Sequence, residues 1–324
     1  MRVQPDHLLQ IQDLCVEFKT ERAVSKALNG VNLTVDKGES LGLVGESGAG
    51  KTTTALASLN LLSKNASHKG DIRFQGKSVF QMKDKELLDI RGDKISMIFQ
   101  NPLTALNPVF TVGEQIAMVL RVHRGMNKKD ARKQAGELLE MVGIPRNRVH
   151  DFPNQLSGGM RQRVGIASSL ACNPELLIAE PTTALDVTIQ AQILELMKNL
   201  QEQYNTSLIM ITHNLGIIAE LCHKVAVMYA GRIIEYGTVR EVFSTPLHPY
   251  TRGLLGALPS LDEDKKRLTA IPGNVADPRK LPTGCRFHPR CDLQDNKCAD
   301  KCPEMICITE DHYVECWYHG GGND

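Results

Sequence analysis

The stretch from Leu41 to Thr52 constrains this chain more than any other. A short apolar run, Leu41-Gly42-Leu43-Val44, ends at Gly45. The chain then passes through Glu46, Ser47, Gly48, Ala49 and Gly50 to Lys51, Thr52 and Thr53. The run suits a strand buried on both faces of an α/β sheet. Residues 45–52 fit GxxxxGK[ST], and residues 51–62 read as a helix, so strand, glycine loop and helix come in the order this motif needs. Glycines let successive backbone N–H groups converge on phosphate oxygens, and the helix N-terminus adds partial positive charge. Lys51 would neutralise the β/γ-phosphates and the Thr52 hydroxyl would ligate Mg²⁺. An ordinary glycine turn is the competing reading, and the flanking strand and helix weigh against it. The loop points to a nucleoside triphosphate and is silent on what its energy drives.

Composition narrows the rest. With 324 residues the expectation is two domains, or one large domain with an appendage. At 42% hydrophobic and 23% charged, the chain can bury a sizeable core. Lys+Arg 38 against Asp+Glu 37 leaves a charge of +1, without the basic excess of a chain that tracks nucleic acid. No apolar run reaches the ~18 residues needed to span a bilayer, and the start has no signal-peptide core. A cytosolic chain that can dock onto membrane proteins is expected. The charge runs at 128–133 and 262–266 read as solvated faces.

Further strands are expected at 8–18, 31–35, 176–179, 207–212 and 225–229, and helices over 110–142, 158–172 and 188–203. After about Thr245, prolines and then cysteines mark a separate C-terminal region with little periodicity. Of nine cysteines, Cys15, Cys172 and Cys222 are scattered, while Cys285, Cys291, Cys298, Cys302, Cys307 and Cys316 crowd the last forty residues. Clustered thiols in a cytosolic chain more often bind metal than form disulfides.

Other motifs come in a fixed order. Leu156-Ser157-Gly158-Gly159-Met160 precedes a helical run, with Ser157 placed as its cap. Gln100 comes after an apolar segment, Ala184-Leu185-Asp186 after Pro181, and His213 after SLIMIT. Together with the phosphate loop, these resemble the ATP-binding cassette family over about residues 8–260. The resemblance implies an α/β fold: a P-loop NTPase (RecA-like) ABC ATPase core with a helical subdomain at about 101–170. Residues 1–245 would form the nucleotide-binding domain and 246–324 a small irregular cysteine-rich C-terminal region. It also implies roles. Phe18 would stack on adenine, although a core aromatic fits its spacing equally well. Gln100 would sense the γ-phosphate and Mg²⁺, and His213 would be the switch histidine. Ser157, Gly158 and Gly159, with Asp186 of the D-loop, would act on ATP held by a second cassette.

NPLTALNP (101–108), LHPYTRGLL (247–255) and the GCRFHPRC segment resemble the dipeptide/oligopeptide importer branch. That branch implies a sister ATPase subunit, two membrane permeases, an extracytoplasmic solute-binding protein and a place on the cytoplasmic face of the membrane. Nickel or glutathione would be alternative cargoes. A soluble cassette acting on nucleic acid is the reading from another class, and the balanced charge speaks against it. The spacing Cys285-x5-Cys291-x6-Cys298-x17-Cys316 matches positions that hold a 4Fe-4S cluster in some members, with zinc or buried free cysteines as the alternatives. Cys302 and Cys307 depart from that pattern.

One departure concerns catalysis. The family carries four apolar strand residues and then Asp-Glu-Pro, whereas Leu176-Leu-Ile-Ala179 here runs straight into Glu180-Pro181. Counted back from Pro181, Glu180 takes the catalytic slot. Counted forward from Leu176, it takes the metal-side slot. One carboxylate cannot both hold the Mg²⁺ water shell and polarise the attacking water. Three readings are open: a residue omitted from the sequence as written, an altered hydrolysis-impaired chain, or Glu180 in one role with water or Asp186 partly covering the other.

Overall fold

A computed structural model describes residues 7–21, 23–100, 105–180, 194–195, 197–199, 201, 203–257 and 271–319. In chain order these form β1 (Leu9–Lys19), β2 (Val24–Val35), β3 (Ser40–Val44), α1 (Lys51–Ser58), β4 (Ala66–Phe74), β5 (Lys77–Ser78), α2 (Asp84–Ile90), β6 (Ile95–Ile98), α3 (Val112–Arg124), α4 (Lys128–Met141), α5 (Gly158–Leu170), β7 (Leu176–Ala179) and β8 (Ser207–Ile211). Then come α6 (Leu215–Leu221), β9 (Lys224–Tyr229), β10 (Arg232–Thr238), α7 (Val239–Ser244), α8 (Pro249–Gly256), α9 (Asn296–Asp300), β11 (Ile306–Thr309) and β12 (His312–Val314). The chain divides into two compact units, one of residues 1–35, 40–80 and 211–324, the other of 36–39 and 81–210.

In the first unit, β1 pairs antiparallel with both β2 and β4, and β5 extends β4. Leu9, Ile11, Leu14 and Val16 are buried, and the alternation slips by one residue at a bulge beside Asp13, whose φ is 45°. A second sheet runs β11-β12-β10-β9-β3, with β3 parallel to β9 and the other pairs antiparallel. All five residues of β3 are buried, as its unbroken apolar pattern requires. In the second unit, β6, β7 and β8 form a parallel ladder, also buried throughout.

Helix ends differ from the sequence expectation for local reasons. The helix expected over 51–62 stops at Ser58, because Asn60 takes a positive φ of 51° and Leu61 N–H returns to Leu56 O at 2.8 Å. The run 110–142 is two helices: the chain turns at Gly125, and Asn127 caps α4 by accepting from Asp130 N–H. The helix expected over 188–203 lies largely outside the described residues.

The C-terminal residues, poor in apolar periodicity, pack through buried polar groups. Glu235 on β10 is fully buried and accepts from the N–H groups of Leu247 (2.8 Å) and His248 (2.9 Å). His312 Nε2 on β12 lies 2.8 Å from the same carboxylate. Arg232 grips Glu315 through two hydrogen bonds of 2.6 and 2.9 Å. Truncating Glu235 leaves two buried N–H groups and an imidazole without their acceptor. Glu235→Ala should therefore lower the unfolding free energy by about 3 kcal/mol, read as a fall in midpoint in urea or thermal denaturation.

Candidate functional site

The loop after β3 is held by close contacts. Gly45 and Gly50 have φ of 151° and 109°, where an L side chain is strained. A Cβ at Gly45 would sit 2.2 Å from Met228 O, and one at Gly50 would sit 2.6 Å from the Leu28 side chain. The loop is thus pressed against β9 and β2 on its inner side. Ala49 O accepts from Gly231 N–H at 2.9 Å, tying the loop to the β9–β10 turn. α1 opens at Lys51 with no acidic residue in its first turn, so its positive end is not neutralised from within the helix. Lys51 Nζ donates to Gly45 O (2.7 Å) and Glu46 O (2.9 Å), which arches the ammonium over the loop. Thr52 is exposed beside it.

Two more of the expected residues lie in the same unit. Phe18, near the end of β1, is half-buried and pairs in register with Ser25 and Ala66, which leaves part of its ring open to a ligand. His213 is exposed just past β8, between buried Thr212 and Asn214. Asn214 N–H donates to Thr212 Oγ1 (3.0 Å), and Asn214 Oδ1 accepts from Gly216 N–H (2.9 Å) to cap α6, so the histidine stands on a short fixed turn.

Three others belong to the second unit. Gln100 is exposed two residues beyond β6. Ser157 caps α5, accepting from Met160 N–H at 3.3 Å, and Ser157 and Gly158 face solvent at the helix N-terminus. Glu180 is buried, and its N–H donates to Ile98 O at 3.0 Å. Asp186 lies outside the described residues.

The six C-terminal cysteines separate by position. Cys285, Cys291, Cys298 and Cys316 line one small cavity, together with His248, His288 and Asp295. Burial is the main cause that raises the pKa of each of these four thiols, pushing Cys285 up to about 12. Cys302 faces elsewhere, its thiol 3.7 Å from Glu315 Oε1, and exposed Cys307 donates to Thr309 O at 2.9 Å. Among the described residues, no three His, Cys, Asp or Glu side chains stand close enough to form a ready metal site. Any cluster would need the four thiols to draw together.

Sequence spacing gave no sign of one set of residues. Tyr250 on α8 and Arg290 reach the phosphate loop from the C-terminal region: Tyr250 OH accepts from Glu46 N–H at 2.8 Å, and Arg290 pairs with the Glu46 carboxylate at 2.7 and 3.1 Å. Both lie more than 200 residues from the loop they hold.

A buried parallel strand running into a glycine loop, a lysine folded back over it and a helix defines a P-loop nucleotide-binding site. Residues 28–184 match the ABC transporter family, and residues 234–298 match the oligopeptide/dipeptide transporter C-terminal region. The chain is 49% identical to the oligopeptide transport ATP-binding protein OppD of Bacillus subtilis, over 97% of this chain and 90% of that one. It is 50% identical to the OppD protein of Salmonella typhimurium, over 88% and 86% of the two chains. Among solved structures, it resembles the ATP-binding cassette MJ0796 in a dimeric post-hydrolysis state bound to ADP and Pi, with TM-score 0.65 and 30% identity, covering 72% of this chain and 99% of that one. This chain belongs to the ABC transporter ATP-binding family, in its oligopeptide/dipeptide branch.

Lys51→Ala removes the only ammonium arched over the loop among the described residues. It should weaken Mg–ATP binding by about a hundredfold in an equilibrium titration, the loss expected for a charge-assisted contact.

Proposed function

We propose that this chain is the ATP-hydrolysing subunit of an importer that takes up oligopeptides or dipeptides through separate membrane permeases. The observation that carries this is the glycine loop, shaped for a triphosphate, in a chain whose C-terminal part matches the peptide-transporter region. The relatives' own names supply the cargo class. Residues 1–245 are read as the nucleotide-binding domain, with a helical subdomain at about 101–170, and 246–324 as its transporter-type C-terminal region.

In this reading Gly45, Glu46, Ser47, Gly48, Ala49, Gly50, Lys51, Thr52 and Thr53 cradle ATP, and Phe18 lies under the adenine. Thr52 and Gln100 are assigned to Mg²⁺, Gln100 also as the γ-phosphate sensor, and His213 is assigned as the catalytic switch histidine. Ser157, Gly158, Gly159 and Asp186 serve the nucleotide of a second ATPase subunit in a heterodimer. The exposed N-terminus of α5 supports this, because its capped but unneutralised end is suited to an anion from outside. Two permeases and an extracytoplasmic solute-binding protein complete the importer. The chain then works at the cytoplasmic face of the membrane and has no nucleic-acid partner. Among the described residues no helix is long and apolar enough to cross a membrane, in keeping with separate permeases.

Glu180 is assigned to the metal-side slot. Its N–H extends the β6–β7 ladder one residue past Ala179, so it is the fifth member of the strand run that begins at Leu176. No acidic residue then stands between it and Pro181 to polarise water. The chain as written binds Mg–ATP and hydrolyses it slowly. Inserting Asp between Ala179 and Glu180 moves Glu180 to the catalytic slot and should raise phosphate release about a hundredfold. In cells lacking the native subunit, that insertion variant should restore peptide uptake, and the same variant carrying Lys51→Ala should not. Equal phosphate release with and without the insertion overturns the Glu180 assignment. Normal peptide uptake with the Lys51→Ala variant overturns the transport reading.

The four thiols lining one cavity fit a 4Fe-4S cluster better than zinc, because CxxC pairs are missing from the region. Cys285, Cys291, Cys298 and Cys316 would hold it, and its chemistry would be to staple a region poor in apolar core. Anaerobically purified protein should be brown and carry iron and acid-labile sulfide. Cys291→Ser should abolish the colour, and Cys302→Ser and Cys307→Ser should keep it. Colourless protein with stoichiometric zinc overturns the cluster in favour of the zinc alternative.

A further inference from the structure

Glu46 poses an electrostatic problem. It is an anionic side chain inside a loop that must accept a polyanion, and a free carboxylate there would repel the triphosphate. The structure answers with one buried guanidinium. Arg290, whose side chain is 4% exposed, donates through both terminal nitrogens to the two Glu46 oxygens, at 2.7 and 3.1 Å. This is the bidentate geometry that a carboxylate accepts best.

The guanidinium is itself fully committed. Nε donates to Pro272 O at 2.8 Å, one terminal nitrogen also reaches Tyr229 OH at 3.4 Å, and the other reaches Ile271 O at 3.4 Å. The Tyr229 and Phe287 rings each lie 5.8 Å from the guanidinium carbon, and Tyr250 packs against both rings at 4.8 and 5.4 Å between centroids. Arg290 therefore has one orientation, and that orientation draws the Glu46 side chain toward the C-terminal region. Tyr250, fully buried, accepts the Glu46 N–H and holds the main chain of the same residue. Side chain and backbone of one loop residue are thus gripped by two residues of the region 234–298.

We propose that Arg290, backed by Tyr250, is a positioning residue of the phosphate loop, which neutralises Glu46 so that the C-terminal region sets the affinity of the loop for triphosphate. This rests on the reading of Gly45–Thr52 as the ATP cradle.

The test is an equilibrium titration of the full chain with a fluorescent ATP analogue and Mg²⁺, beside a melting curve without nucleotide. Arg290→Ala should weaken binding about tenfold, which is about 1.4 kcal/mol. Arg290→Lys, which keeps the charge, should recover most of that loss. In a Glu46→Gln background there is no carboxylate to neutralise, and removing Arg290 should then cost less than about threefold. Tyr250→Phe keeps the ring packing and removes the acceptor, and it should weaken binding severalfold while the chain still melts in one cooperative transition at a modestly lower midpoint. Should Arg290→Ala not fold, the comparison of Arg290→Lys with the double variant decides the matter. The proposal is overturned if folded Arg290→Ala binds as tightly as the unmodified chain. It is equally overturned if the double variant loses as much affinity as Arg290→Ala does. No binding by the unmodified chain would instead overturn the ATP cradle itself, and the proposal with it.

Discussion

The contact between Gly45 and the carbonyl of Met228 governs the rest of the nucleotide-binding unit. Nothing larger than hydrogen fits there, since a Cβ would come to 2.2 Å. β3 can therefore lie tight against β9 and still turn sharply at its end. That turn sets where α1 begins, and the start of α1 sets where Lys51 stands. The same closeness brings β9's last residue, Tyr229, under the loop, where its ring meets Tyr250 and Phe287. A looser turn would separate the loop from the strand that shapes it and from the C-terminal residues that hold its outer edge.

The C-terminal region is held in part by buried charged side chains, each with specific hydrogen-bond partners. Glu235, Glu315 and Arg290 are each buried, and each is matched by a specific partner. Such pairs add little net stability over well-packed apolar residues, but losing one partner is costly. The arrangement is therefore demanding about geometry. Residues that line the cysteine cavity, His248 and Cys291, are sequence neighbours of Tyr250 and Arg290. The loop's two outside supports are built into the edge of that cavity.

Much of this was legible in the sequence where local rules apply. β3, β7, β8 and β9 are short apolar runs and form buried parallel or mixed ladders, as their composition requires. The GxxxxGK[ST] pattern carries its own geometry, so Gly45, Gly50 and Lys51 could be placed without coordinates. Ser157 announces α5 by its chemistry as a cap. Phe18 was ambiguous because its strand position serves core and ligand equally, and it is half-buried. The hairpin of β11 and β12 was not legible. It is brief, and its burial depends on His312 reaching Glu235 across the sheet. Nor were Arg290 and Tyr250, because an ion pair between residues 46 and 290 leaves no trace in periodicity or spacing. The same limit held for the six cysteines: the family resemblance pointed to a set of four, while only packing could place Cys302 beside Glu315 and Cys307 in solvent.

Binding and hydrolysis depend on different parts of this chain, and the shortfall before Pro181 separates them. Among the described residues, contacts on the phosphate loop come from β2, β9 and the C-terminal region. The β6–β7 ladder also stays in register through Ala179, so the missing residue does not disturb the strand that carries Glu180. In the proposed reading, a cassette with its cradle intact and this step one residue short would still be closed by ATP. Without a carboxylate aimed at water, the closed state would decay slowly, and closure and reopening are the two halves of a transport stroke. In the proposed reading, the difference between a motor and a latch is whether one acidic residue or two stand between Ala179 and Pro181.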